Sequence, residues 1–131
     1  MGNLARNKVM ELEGMLRERE RALRAEIRET LLRSENEQHK DLAGMVSDIG
    51  DESVANMLAD LDIAAVDRDV GELREVESAL ARIREKTYGV CTDCGEPIDY
   101  ARLKAQPAAA RCVPCQERRE RGYAHGSTPT L

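Results

Sequence analysis

Four cysteines, Cys91, Cys94, Cys112 and Cys115, carry the clearest chemistry in this chain of 131 residues. They form two C-x-x-C pairs, seventeen residues apart, in the stretch CTDCGEPIDYARLKAQPAAARCVPC. A C-x-x-C knuckle turns its backbone so that two sulfurs face one ion, and two knuckles complete a tetrahedron of thiolates. The spacing predicts a zinc site made by Cys91, Cys94, Cys112 and Cys115. Four protein ligands leave no position for water, so the expected metal is a single structural ion, a clasp for a domain too small to hold its own fold. Gly95 suits the tight turn of the first knuckle, and QERRERG after the second reads as a short helix. A redox pair would want a βαβ pattern, and disulfides would want an oxidising compartment. Neither His39 nor His125 is needed as a ligand, and both read as solvated bystanders. With the metal site closed and no nucleophile–base constellation in the sequence, the chain does not read as an enzyme.

The elements that must position these cysteines are helical. The chain has no Trp, no Phe and only Tyr88, Tyr100 and Tyr123 for aromatics, while 34% of it is charged. A thick core normally uses aromatic bulk, so a thin, elongated molecule is expected. From about Leu4 to Met45 there is no Pro, and Val9, Leu12, Leu16, Leu23, Ile27 and Leu31 recur at helical spacing, as in a coiled-coil seam with gaps at Arg19 and Glu26. Such a helix would be a rod of roughly 60 Å. Gly44, Ser47 and Gly50 then interrupt the pattern, with Asp and Ser supplying cap chemistry. It returns from about Ser53 to Lys86 at Leu58, Leu61, Ala65, Leu73, Val76, Leu80 and Ile83. Gly71 within that second helix marks either a close approach of the partner or a weak spot.

The fold class expected is therefore mainly α: a long antiparallel coiled-coil hairpin attached to a small four-cysteine zinc-finger domain with a short C-terminal helix. Residues 1–86 would form the hairpin, with an acidic tip at about 47–53, residues 87–121 the zinc finger, and 122–131 a flexible tail. No apolar targeting segment and no membrane-length apolar run is present, so the sequence reads as cytoplasmic, with no membrane partner; a monomer is expected. Charge is uneven. Residues 48–86 carry eleven acids against five bases, whereas 1–47 are balanced at nine of each. Nucleic-acid phosphates want a basic stripe, and none is present.

The stretch YGVCTDCGEPIDYARLKAQPAAARCVPCQERRE closely resembles the DksA/TraR family of bacterial zinc-finger regulators. The likeness lies in Tyr88 to Gly95, in Ile98, Arg102, Leu103, Ala105, Pro107 and Ala109, and in Cys112, Cys115 and Gln116. The resemblance implies a protein that binds RNA polymerase, inserts its coiled coil into the secondary channel and sets an acidic tip near the catalytic magnesium. The family's larger members carry D-x-x-D-x-A at that tip, and this chain has DIGDES, with Asp48, Asp51 and Ser53. Arg68 stands where the family's second helix meets the polymerase rim. Basic residues that help responsive members hold ppGpp align with Glu75, Gln106 and Gln116, which implies a weak or absent ppGpp response.

From the residues alone, Asp at a turn is first of all a capping residue. The surroundings argue for more. Between Asp48 and Glu72 there are eight acids and one cation, Arg68. Like charges so crowded oppose one another unless the arm enters a positive environment. Two other functions fit parts of the pattern. A coiled-coil adaptor would dimerise or dock through an outer helical face, although charged residues populate much of it. A DNA-binding zinc finger of the same spacing would need a basic flank, yet residues 91–115 hold three acids against three bases.

Overall fold

The seam of Val9, Leu12, Leu16, Leu23, Ile27 and Leu31 becomes the buried stripe of α1 (Arg6–Leu32), each residue 5% exposed or less. The computed structural model describes residues 4–50 and 52–126, the last four by backbone alone. The second arm of the hairpin is α4 (Asp67–Arg84), which buries Val70, Leu73, Val76, Ala79, Leu80 and Ile83 and packs along α1. The two run antiparallel. α4 leads directly into the cysteine domain, and the beginning of α1 returns to it, with the Tyr100 hydroxyl donating to Glu11 and the Lys8 ammonium 4.4 Å from the Tyr100 ring centre. Each buried Leu or Ile on this seam contributes about 1.5–3 kcal/mol. The gap in the seam at Arg19 is filled by charge: its guanidinium donates to Glu72 of α4 at 2.7 Å. That bond holds the Glu72 carboxyl below its usual range and raises Arg19. Both groups are largely exposed, so the pair guides register more than it stabilises.

The connection between the arms differs from the sequence expectation. The first arm does not run to Met45. α1 stops at Leu32, and the chain reverses over Arg33 to Asn36. It then packs back along α1 as α2 (Glu37–Asp48). No glycine or proline makes this turn. Ser34 Oγ accepts from the Asn36 amide at 3.1 Å and pairs with His39 Nδ1 at 2.8 Å, and the Asn36 side chain caps α2 by accepting from the Gln38 amide at 2.8 Å. His39, expected as a solvated bystander, is thus half-buried and part of the turn. Short polar side chains replaced the special backbone conformations usually read as breakers.

The second arm is interrupted as well. α3 (Val54–Ala59) packs on α4. Between them the chain turns at Asp62, whose φ of +50° is one that Asp tolerates better than most residues, and passes through a 3-10 turn at Ala64–Val66. Leu61 and Ala65, assigned to the seam by spacing, are exposed in consequence, while Val54, Ala55, Val66, Val70 and Ala79 take buried places.

α4 ends with Lys86 in the left-handed region, φ +64°, and the Thr87 amide reaches back to the Arg82 carbonyl at 2.9 Å. The cysteine domain follows. Its core is Tyr88, Ile98 and Leu103, with 0%, 4% and 0% exposure, around α5 (Tyr100–Ala105). Among the described residues no strand forms, and Val90 and Pro97 make one isolated antiparallel bridge. α6 (Val113–Gly126) continues past residue 121, where a flexible tail was expected to begin, and residues 127–131 lie outside the described ones.

A β-carbon at Gly71 would meet nothing within 4 Å. The glycine marks no close helix approach, and only its conformational cost remains. Gly71→Ala is expected to stabilise the protein by about 1 kcal/mol in urea denaturation, with an unchanged denaturant slope.

Candidate functional site

Each knuckle is built by its own backbone. The Gly95 amide returns to the Cys91 carbonyl at 3.0 Å and the Cys91 amide to the Glu96 carbonyl at 2.8 Å. The turn requires φ of +80° at Gly95, open to glycine and strained for other residues. A bond from the Thr92 amide to the Ala110 carbonyl, 2.9 Å, ties the first knuckle to the stretch before the second, and α6 carries Cys115 in its first turn. The Tyr88 hydroxyl donates to the Pro107 carbonyl at 2.7 Å from full burial, and burial pushes its ionisation up to about 12, so it stays a donor.

These elements bring together all four sulfurs expected from the spacing: those of Cys91, Cys94, Cys112 and Cys115 lie within 4.8 Å of one another. Zn–S bonds of about 2.3 Å at a regular tetrahedron place neighbouring sulfurs about 3.8 Å apart, and Cys94 Sγ and Cys112 Sγ are 3.8 Å apart. No disulfide joins any of them. Burial pushes the Cys91 thiol up, but the amides of Cys94, Cys112 and Asp93 outweigh it and bring it to about 6. Cys115 is pushed up to about 12 by Cys112, by burial and by Cys91. One thiolate therefore forms readily, while Cys94 and Cys115 resist further negative charge unless a cation sits among them. The donor set fits a closed four-thiolate metal site, and its net charge with a divalent ion would be −2. Arg118, one turn into α6, addresses that excess by donating from Nη2 to Cys115 Sγ at 3.0 Å. Spacing gave no sign of Arg118, because the run QERRER offers several arginines and only the helix phase selects one.

Asp48 and Ser53, expected at the hairpin tip, are placed elsewhere. The far end of the molecule is the turn at 33–36, and α2 carries Asp48 back beside the middle of α1. Asp48 is the exposed last residue of α2, which has no basic residue in its last turn. A carboxylate there opposes the helix dipole, so helix stability does not account for it. Asp51 lies outside the described residues. Ser53 is a cap: its Oγ accepts from the Asn56 amide at 2.9 Å and donates to Glu77 at 2.6 Å. Arg68 is exposed in the first turn of α4, between Asp67 and Asp69. Sequence reading missed two half-buried residues that hold this region, Arg24 and Glu77. They are ordinary charged positions flanking a seam, and nothing local signals partners more than twenty residues away.

Glu75, Gln106 and Gln116 converge on one cleft of about 1130 Å³ between the hairpin and the cysteine domain. Three of the five arginines that line it, Arg19, Arg102 and Arg111, are engaged elsewhere, while Arg74 and Arg82 face it without an acidic partner among the described residues. Arg111 pairs with Asp93 at 3.0 Å, Arg102 donates to the Arg111 carbonyl at 2.8 Å, and Arg19 is held by Glu72. Burial, and then Arg111, lower the Arg82 guanidinium from its usual value.

Residues 86–121 match the model of the prokaryotic dksA/traR C4-type zinc finger. A curated relative from Caulobacter vibrioides, described as the RNA polymerase-binding transcription factor DksA, is 39% identical over 98 residues, which cover 73% of this chain and 64% of the relative. The chain thus spans less than two thirds of that relative's length. Among solved structures, a DnaK suppressor protein from Agrobacterium tumefaciens aligns over 89% of this chain and 97% of its own at 28% identity, with a TM-score of 0.60. The transcription factor DksA2 from Pseudomonas aeruginosa aligns over 92% and 88% at 21% identity, TM-score 0.59, a likeness of fold. No helix among the described residues is long and apolar enough to cross a membrane.

Partners of metal ligands commonly change affinity about 10- to 100-fold when removed. Arg118→Gln is expected to lower zinc affinity about tenfold in competition with a chromophoric chelator, and Arg119→Gln to leave it unchanged.

Proposed function

Because this chain belongs to the DksA/TraR family of C4-type zinc-finger proteins, we propose that it is a bacterial transcription regulator that binds RNA polymerase directly and modulates initiation. The observation that carries this reading is the extent of the likeness to the Caulobacter relative, whose name states that it binds RNA polymerase. The 98 aligned residues reach well beyond the zinc finger at 86–121 into the helical arms. A likeness confined to the cysteines would support only a shared metal clasp.

In this reading Cys91, Cys94, Cys112 and Cys115 hold one zinc ion. With every position taken by a protein sulfur, it stabilises the domain and supplies no reaction. The acidic middle of the chain, with Asp48 and Asp51, enters the polymerase secondary channel. A complementary positive field steers it there, and Arg68 meets the channel rim. Asp48 arrives on the flank of the hairpin beside α1, with the 33–36 turn farther out. A carboxylate pair so delivered can perturb a catalytic magnesium ion, repel phosphates or bias mobile loops of the enzyme. The protein acts as a monomeric cytoplasmic binding partner and performs no catalysis of its own.

The experiment compares the zinc-loaded protein with an Asp48→Asn/Asp51→Asn variant for binding to bacterial core polymerase and for transcription from a promoter with an unstable open complex. Both are expected to bind within about threefold of each other, since much of the contact lies elsewhere, and only the parent to alter transcription. Absence of binding by the parent would sink this reading in favour of a coiled-coil adaptor, whose sign would be a stable dimer in sedimentation.

In the cleft bearing Glu75, Gln106 and Gln116, Arg19, Arg102 and Arg111 are held by other groups, and the Glu75 carboxylate repels a polyphosphate. Addition of ppGpp is therefore expected to change the transcriptional effect by less than about twofold, with Glu75→Lys increasing the response.

A further inference from the structure

Arg24 of α1 and Glu77 of α4 flank the stretch that leads from α2 into α3, and their side chains are 18% and 15% exposed. Arg24 directs its guanidinium to backbone. Nη1 donates to the carbonyls of Ile49 and Gly50 at 3.2 and 2.9 Å, and Nη2 to the carbonyl of Glu52 at 3.0 Å. Glu77 takes the other side. Its carboxylate accepts from Ser53 Oγ at 2.6 Å and from the Val54 amide at 3.1 Å. The two residues meet at 3.9 Å, and Glu20 lies 3.6 Å from Arg24. Exposed turn carbonyls are ordinarily satisfied by water. Here an arginine leaves water to hold three of them, and its Nε is buried without a partner, a cost that needs a compensating use.

We propose that Arg24 and Glu77 are positioning residues. They form a two-jaw clamp that fixes where the Asp48-bearing segment stands, with Ser53 as the hydroxyl that couples the segment to α4. One jaw belongs to each long arm. The segment therefore holds its place only while α1 and α4 are closed on each other, and the acidic face is presented by the closed hairpin. A rigid fork donating to several carbonyls at once suits this role, because it fixes direction as well as distance. The functional half of the inference rests on the reading of the acidic segment given above. The clamp itself does not.

The test uses the full zinc-loaded chain with Arg24→Met, which keeps an apolar stem, Glu77→Gln, which leaves α1 untouched, and Ser53→Thr, which retains the hydroxyl. Zinc content and helicity report the fold, amide hydrogen exchange over residues 49–54 reports the clamp, and polymerase binding and transcription report its use. Arg24→Met and Glu77→Gln are expected to retain zinc and protection of the α1 seam while exchange over 49–54 rises about tenfold. Their transcriptional effect should fall towards that of the Asp48→Asn/Asp51→Asn variant with polymerase binding kept, and Ser53→Thr should behave as the parent. Unchanged exchange in both of the first two variants would overturn the clamp. Faster exchange with an undiminished transcriptional effect would overturn its positioning role. Should the parent fail to bind polymerase, the regulatory reading falls, and the exchange data alone decide the clamp. If Arg24→Met does not fold, exchange and transcription with Glu77→Gln decide both points.

Discussion

The stripe of aliphatic side chains on α1 is the contact on which the other helices depend. With no Trp or Phe in the chain, the helical arms bury a narrow stripe of Leu, Ile, Val and Ala between paired helices. α1 serves two partners, packing against α4 and against α2. A short amphipathic helix is marginal in water by itself, so α2 and α3 owe their order to the surfaces they cover. The narrowness of the stripe also explains the abundance of charge, since a helix that buries one file must solvate the rest.

Much of this was legible in the sequence, for reasons that can be named. The six seam positions of α1 were given by period alone, because a helix buried on one side leaves that period undisturbed. The cysteine site was given by spacing, because a knuckle is a local structure and the ligand chemistry admits few alternatives. The reversal at 33–36 was not read. Its signals, Ser34 and Asn36, are also common on exposed helix surfaces, and a continuous helix satisfied the same hydrophobic pattern. Leu61 and Ala65 were assigned to the seam by a period that the turn at Asp62 breaks. Arg24 and Glu77 became visible only when two arms were brought together, since pairing between residues so far apart is a tertiary property.

The molecule separates its electrostatic tasks. The cysteine end gathers negative charge on sulfur and answers it locally with amides and Arg118. The middle of the chain leaves its carboxylates largely unanswered, apart from the pairs that set register. Such a surface favours a partner of opposite sign and keeps copies of the protein apart. The fold tolerates the repulsion because the acids are spread over separate helices and a turn.

The contact between Tyr100 and the first turns of α1 has a wider consequence. The cysteine domain is joined to α4 by the chain and to α1 by that hydroxyl and by Lys8, so the two arms and the domain close into a ring. In a ring, loosening any one joint is felt at the others. By the reciprocity of coupled equilibria, whatever factor metal loading contributes to keeping the arms together, a macromolecule that grips the arms in that arrangement must return to the hold on the metal. Capture of the arms by a partner would thus tighten the hold on the metal at equilibrium, even without contact to the sulfurs.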